Sequence, residues 1–243
     1  MHRIFSIEAD EAIEIIISVV AISFALGLVF AEIGGMLKYP VEFFVFMAPL
    51  MVTIGSGFVL HEMAHKLVAI MYGAKAKFKM WTQGLVLMLL MSLFGLLFAA
   101  PGAVYIYSNR ITVRQNGIIS IAGPVLNVLL FFFFLGLELI APVNQYFSFL
   151  VGLGDGFGGL GISNGVFKVW QFGAAINLLL ALFNTIPAFP LDGSKIFRWS
   201  RLVWTAITLV VLALGWIFIS PAMVLNWAIL LVIVLIFSKL AFG

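Results

Sequence analysis

Apolar residues along the chain run in long blocks. They show neither the alternation of a half-buried sheet nor the one-sided spacing of a surface helix. About 20 apolar residues cross the ~30 Å hydrocarbon core of a bilayer. Blocks at 13–30, 41–70, 117–140, 169–186, 202–219 and 223–237 therefore predict about six transmembrane helices, with Pro221 marking the last turn. The first block follows Glu8, Asp10, Glu11 and Glu14. It lacks the basic start and small-residue cleavage site of a signal peptide, so it reads as a retained helix. A further block, 85–100, is short for a crossing. Its flanks read as strands: Lys75, Lys77 and Lys79 alternate with Ala76, Phe78 and Met80, and Val104, Tyr105, Ile106 and Tyr107 follow Gly102.

Lys and Arg gather in cytoplasmic loops near span ends. If 85–100 enters and returns, Lys75, Lys77, Lys79, Arg110, Arg114, Lys195, Arg198 and Arg201 share one side, and the nearly uncharged 142–168 loop takes the other. If 85–100 crosses, the basic clusters on its two flanks are split. The re-entrant arrangement fits better. Irregular backbone at that depth must then be shielded by protein or line a wet cavity. The expected fold is an all-α polytopic membrane protein with a small β and re-entrant element between the second and third spans. It forms a single membrane-embedded domain over 1–243, with a motif-bearing core at about 41–201 and no separate soluble domain.

Composition agrees. Of 243 residues, 64% are hydrophobic and 9% charged, against about 25% charged in soluble domains. A chain this poor in charge could not cover a soluble surface, which excludes a soluble enzyme, a disordered chain and a nucleic-acid binder. The net charge is +3, without a basic block. With no Cys in the sequence, disulfides and thiolate sites are excluded.

Against this background, ionisable groups inside a span are costly and mark function. The second block carries His61-Glu62-Met63-Ala64-His65. On a helix, positions four apart share a face, so both imidazoles point the same way and can grip one metal ion. Glu62 can reach a water there, which is the H-E-x-x-H arrangement of zinc hydrolases. A catalytic zinc takes three protein ligands and keeps one position open. The carboxylates in or near later spans are Glu138, Asp155 and Asp192. Asp192 lies on the basic side, as does the C-terminal end of the His61–His65 helix. It follows Pro187 and Pro190, which break the fourth helix, and precedes Gly193, where the chain can turn.

Together with His61–His65, the stretch Asn184-Thr185-Ile186-Pro187-Ala188-Phe189-Pro190-Leu191-Asp192-Gly193 resembles the site-2 protease family of intramembrane zinc metalloproteases. Gly123-Pro124-Val125-Leu126-Asn127 is similar to that family's small-residue motif. Ala64 and Ser194 stand where family members often carry Gly. The resemblance implies one Zn2+ held by His61, His65 and Asp192, Glu62 as base and then acid, and Asn184 on the substrate or oxyanion. It implies cleavage of transmembrane or membrane-proximal protein segments.

A site on the basic side of a multi-pass cell-membrane protein faces the cytoplasm. The rival from another class is a divalent-metal transporter or metal sensor using the same ligands, and ligand type alone leaves iron or cobalt open. A strand at 75–81 or 102–107 could hold an unwound substrate by β-augmentation. Residues 154–159 match G-x-G-x-x-G, but without the strand, helix and later acid of a dinucleotide site, so no nucleotide is expected. Trp170 and Trp199 read as interface anchors, and Phe131–Phe134 as packing or lipid-facing surface.

Overall fold

The computed structural model describes residues 5–96, 101–108, 110–151 and 159–242, without the side chains of 223, 234, 235 and 237–242. The chain opens with α1 (Ala9–Lys38), whose backbone leaves helical geometry once, at Glu32 with φ 54° and ψ 172°. α2 (Pro40–Leu50) starts on a proline, where a missing N–H forfeits no helical bond. Pro49 near its end also lacks that donor. A π turn (Met51–Gly55) follows directly, and Thr53 Oγ1 donates to Pro49 O at 2.7 Å. α3 (Ser56–Met71) continues the run, so Pro40–Met71 is one apolar stretch of 32 residues.

β1 (Lys75–Met80) and β2 (Gly102–Tyr107) pair antiparallel, with Phe78 opposite Val104 and Met80 opposite Gly102. α4 (Thr82–Ser92) lies between them in sequence, and Trp81 N–H closes the neck on Pro101 O at 3.1 Å. The segment after β1 thus comes back to the place it left, as the re-entrant arrangement expects. Residues 97–100 of the 85–100 block lie outside the described residues.

The acidic start of α1 grips β1. Lys77 pairs with Glu8 and Asp10 at 2.6 Å each, and Lys79 pairs with Glu14 at 2.9 Å. Two lysines of the basic face are therefore matched by carboxylates. The beginning of α1 and the end of α3 meet on that side.

α5 (Val113–Ile140) begins in a capping box. Thr112 Oγ1 accepts from Gln115 N–H at 3.2 Å, and Gln115 Oε1 accepts from Thr112 N–H at 2.9 Å. In the Phe131–Phe134 run, Phe131 and Phe134 are buried while Phe132 and Phe133 are exposed, so the run divides between core and lipid-facing surface.

A second sheet, absent from the sequence reading, lies between α5 and α6. Its strands β3 (Asn144–Tyr146), β4 (Ile162–Ser163) and β5 (Val166–Lys168) run in the order β3–β5–β4. Gly161 and Gly165, at φ 79° and 83°, turn the chain around it. Phe147 and Phe167 anchor it on Phe46, with ring centroids 4.8 and 4.9 Å away. Residues 152–158, with Asp155 and most of the G-x-G-x-x-G match, lie outside the described residues.

α6 (Val169–Asn184), α7 (Asp192–Trp199), α8 (Arg201–Phe218) and α9 (Pro221–Phe242) complete the chain. Four of the expected spans are helices long and apolar enough to cross a membrane: Ala9–Lys38, Pro40–Met71, Val113–Ile140 and Arg201–Phe218. The other two correspond to α6, apolar but shorter, and to α9, apolar over Val224–Ile233. The protein is an all-α polytopic membrane protein in which α5 packs between α3 and α6. That packing places α5 behind the His61–His65 turn.

Candidate metal centre

Helical spacing puts His61 and His65 on one face of α3, with ring centroids 4.6 Å apart and Nε2 atoms 3.0 Å apart. Asp192, the first residue of α7, meets them. Its Oδ2 lies 3.2 Å from His61 Nε2 and 3.0 Å from His65 Nε2. All three side chains are buried. Ligands about 2.0–2.1 Å from a tetrahedral zinc stand about 3.3 Å from one another. The two nitrogens and one oxygen are therefore spaced closely enough to share one such ion. Among the described residues, His61, His65 and Asp192 are the group able to hold a metal ion, and Glu138 is not part of it.

Asp192 reaches the helix pair because α6 ends at Asn184 and the chain turns back through Thr185–Leu191, with a cis bond between Phe189 and Pro190. Gly193 serves this turn through space rather than through an unusual φ. Any Cβ there would strike the carbonyl oxygens of Thr185 and Ile186. Trp204 Nε1 ties the turn down by donating to Thr185 O at 2.7 Å. Burial alone would push the Asp192 carboxyl up. Protonated His65 beside it, with His61 and Lys195, outweighs that and holds it well below the ordinary carboxylate range.

The other ring nitrogen of each histidine is occupied. His61 Nδ1 faces Asn127 Oδ1 at 2.6 Å, and His65 Nδ1 faces Ile119 O at 2.7 Å. Both partners accept, so each Nδ1 carries a hydrogen, and each Nε2 faces the shared centre, where it can offer a lone pair once it has lost its own proton. Asn127 is itself fixed, donating to Asn177 Oδ1 at 2.9 Å and Gly57 O at 3.2 Å. Asn177 donates in turn to Gly173 O at 2.9 Å. One turn before Asn127, Gly123 brings α5 against the two histidines, and a Cβ there would collide with the Nε2 of both imidazoles. Sequence reasoning found the Gly123–Asn127 motif without these roles. A buried amide in an apolar span was the available signal.

A cavity of about 420 Å³ opens beside the centre, lined by Glu62, Asn184, Phe189, Lys195 and β2 from Gly102 to Ile106. Glu62 Oε2 accepts from Val104 N–H at 2.8 Å. Asn184 lines the cavity with its amide donating to Leu180 O at 3.0 Å. On the other strand, the outward N–H groups of Phe78 and Met80 are taken by Glu11 and Glu14, at 2.8 and 2.7 Å. The edge of β1 is thus covered by α1, and the edge of β2 faces the cavity. Trp170, read as an interface anchor, also donates from Nε1 to Ala141 O at 2.9 Å, just past α5.

Residues 49–208 match the model of peptidase family M50. A protein of Methanocaldococcus jannaschii, provisionally named a zinc metalloprotease, is 36% identical over 208 residues, covering 85% of this chain and 93% of its own length. A Bacillus subtilis protein with the same provisional name is 31% identical over 173 residues, 67% of this chain and 72% of its own. A second Methanocaldococcus jannaschii protein, named a zinc metalloprotease outright, is 29% identical over 154 residues, 63% of this chain and 34% of its own. No solved structure matches the chain.

Proposed function

From the premise that this chain belongs to peptidase family M50, the site-2 protease family, we propose that it hydrolyses peptide bonds in or near transmembrane segments of membrane proteins. The protein is a zinc metalloprotease, and its apolar helices make it an integral membrane protein. The observation that carries the intramembrane reading is the place of the metal group. Two of its three side chains project from within the apolar run Pro40–Met71, beside a cavity that also holds Glu62.

In this reading His61, His65 and Asp192 hold one zinc ion. When bound, zinc lowers the pKa of a water and polarises the scissile carbonyl. Glu62 takes the proton from the attacking water and returns it to the leaving amine nitrogen. Asn184 turns its amide to the substrate or the developing oxyanion. A helical substrate hides its carbonyls in its own hydrogen bonds, so it must be unwound before attack. The edge of β2 is suited to hold it extended by backbone pairing, because that edge lines the cavity while α1 occupies the edge of β1. The substrate is a transmembrane or membrane-proximal protein segment. The domain is a single membrane-embedded unit over 1–243 with its core at about 41–201. It lies in the cell membrane with the site toward the cytoplasm.

Metal analysis of detergent-purified protein tests the ligand set. One zinc per chain is expected in the parent and none in His61→Ala or Asp192→Asn. Glu62→Gln should keep its zinc and lose cleavage. A metal carrier has no use for that base, so a Glu62→Gln variant that cleaves like the parent overturns the mechanism.

A further inference from the structure

The hairpin is pinned at one cross-strand pair from both outer edges. Phe78 and Val104 are register partners. Phe78 N–H donates to Glu11 Oε1, and Val104 N–H donates to Glu62 Oε2, each at 2.8 Å. Glu11 and Lys66 are 1% and 2% exposed, and Lys66 Nζ lies 2.7 Å from both Glu11 oxygens. Lys66 Nζ also donates to Ser6 O at 2.6 Å. Lys66 is four residues after Glu62, so one face of α3 reaches β2 through Glu62 and β1 through Lys66 and Glu11.

The two pins differ in kind. Glu62 is assigned to proton transfer, and its hold on Val104 gives way wherever a peptide takes that N–H. Glu11 lies outside the cavity lining and has no such duty. A buried ion pair is also poor evidence of a purely stabilising role, since desolvation offsets most of its attraction and a packed apolar pair often does as well. An apolar pair could not supply an acceptor for Phe78 N–H.

We propose that Glu11, locked by Lys66, is a positioning residue for the protease. It fixes β1 at Phe78, and so keeps the β2 edge at a set distance across the cavity from His61, His65 and Asp192. The inference rests on the reading of β2 as the substrate-docking edge.

Removing one charge alone would strand the other in the interior, so the test uses double variants. Glu11→Leu with Lys66→Met deletes the pair and the Phe78 acceptor at similar volume. Glu11→Gln with Lys66→Met deletes the charges and keeps an amide oxygen for Phe78. Zinc content, amide exchange of 102–107, and KM and kcat on a synthetic apolar-helix peptide are compared with the parent. Zinc should stay at one per chain in both. The Leu/Met variant should exchange about tenfold faster and show a KM about tenfold higher at near-parental kcat, and the Gln/Met variant should recover both values. Parental exchange and KM in the Leu/Met variant overturn the proposal, as does a Gln/Met variant that behaves like Leu/Met. A parent that binds zinc but cleaves no such peptide counts against the proteolytic reading, and the exchange comparison then decides this one alone.

Discussion

At the scale of single residues, the geometry of the candidate centre depends on the atoms behind His61, His65 and Asp192 as much as on those three side chains. Asn127 holds His61 Nδ1 and is held by Asn177 and Gly57. Asn127→Ala should weaken zinc binding or activity by about 10–100-fold while leaving the helices folded, because outer partners of ligating histidines typically matter that much. Competition with a zinc chelator and circular dichroism on one sample would check both halves. The meeting of His61, His65 and Asp192 was legible in the sequence, since the two imidazoles stand out in an apolar run and Asp192 follows two helix-breaking prolines. The supporting contacts were not. A main-chain carbonyl such as Ile119 O has no sequence signature, and the need for Gly123 depends on how closely α5 approaches α3.

At the scale of elements, strand-like spacing was enough to find β1 and β2, and the basic flanks were enough to favour a returning segment between them. Which strand edge stays open was not readable, because it depends on where the carboxylates of α1 land. The small β3–β5–β4 sheet also escaped notice. Its strands are two or three residues long and are held by aromatic packing from α2 rather than by a periodic pattern. If β2 docks substrate, Val104→Pro removes an outward donor at the middle of its edge. Cleavage should be lost while zinc content stays at the parental level. Unchanged cleavage would remove β2 from the mechanism.

For the whole molecule, the long apolar blocks specified the class of fold before any contact was known, because helices satisfy their own backbone in lipid. Helix ends follow charge: the start of α1, the end of α3 and the hairpin gather on one side, and β3 with its neighbours lies between α5 and α6 toward the other. The absence of Cys makes this directly testable. Lys75→Cys should react with a membrane-impermeant maleimide only from the cytoplasmic face of oriented vesicles, and Asn144→Cys only from the opposite face. Labelling of both from one face would refute the topology.

The Val104–Glu62 contact also sets an order of events. One amide hydrogen serves one strong acceptor at a time. In the proposed mechanism, a peptide that pairs along β2 would evict the carboxylate from Val104, so docking would free Glu62 Oε2. Without a docked peptide, Glu62 would stay tethered to β2 through that oxygen. Amide exchange at Val104 should be slow in the parent, faster in Glu62→Ala, and slow again in that variant once a peptide is bound.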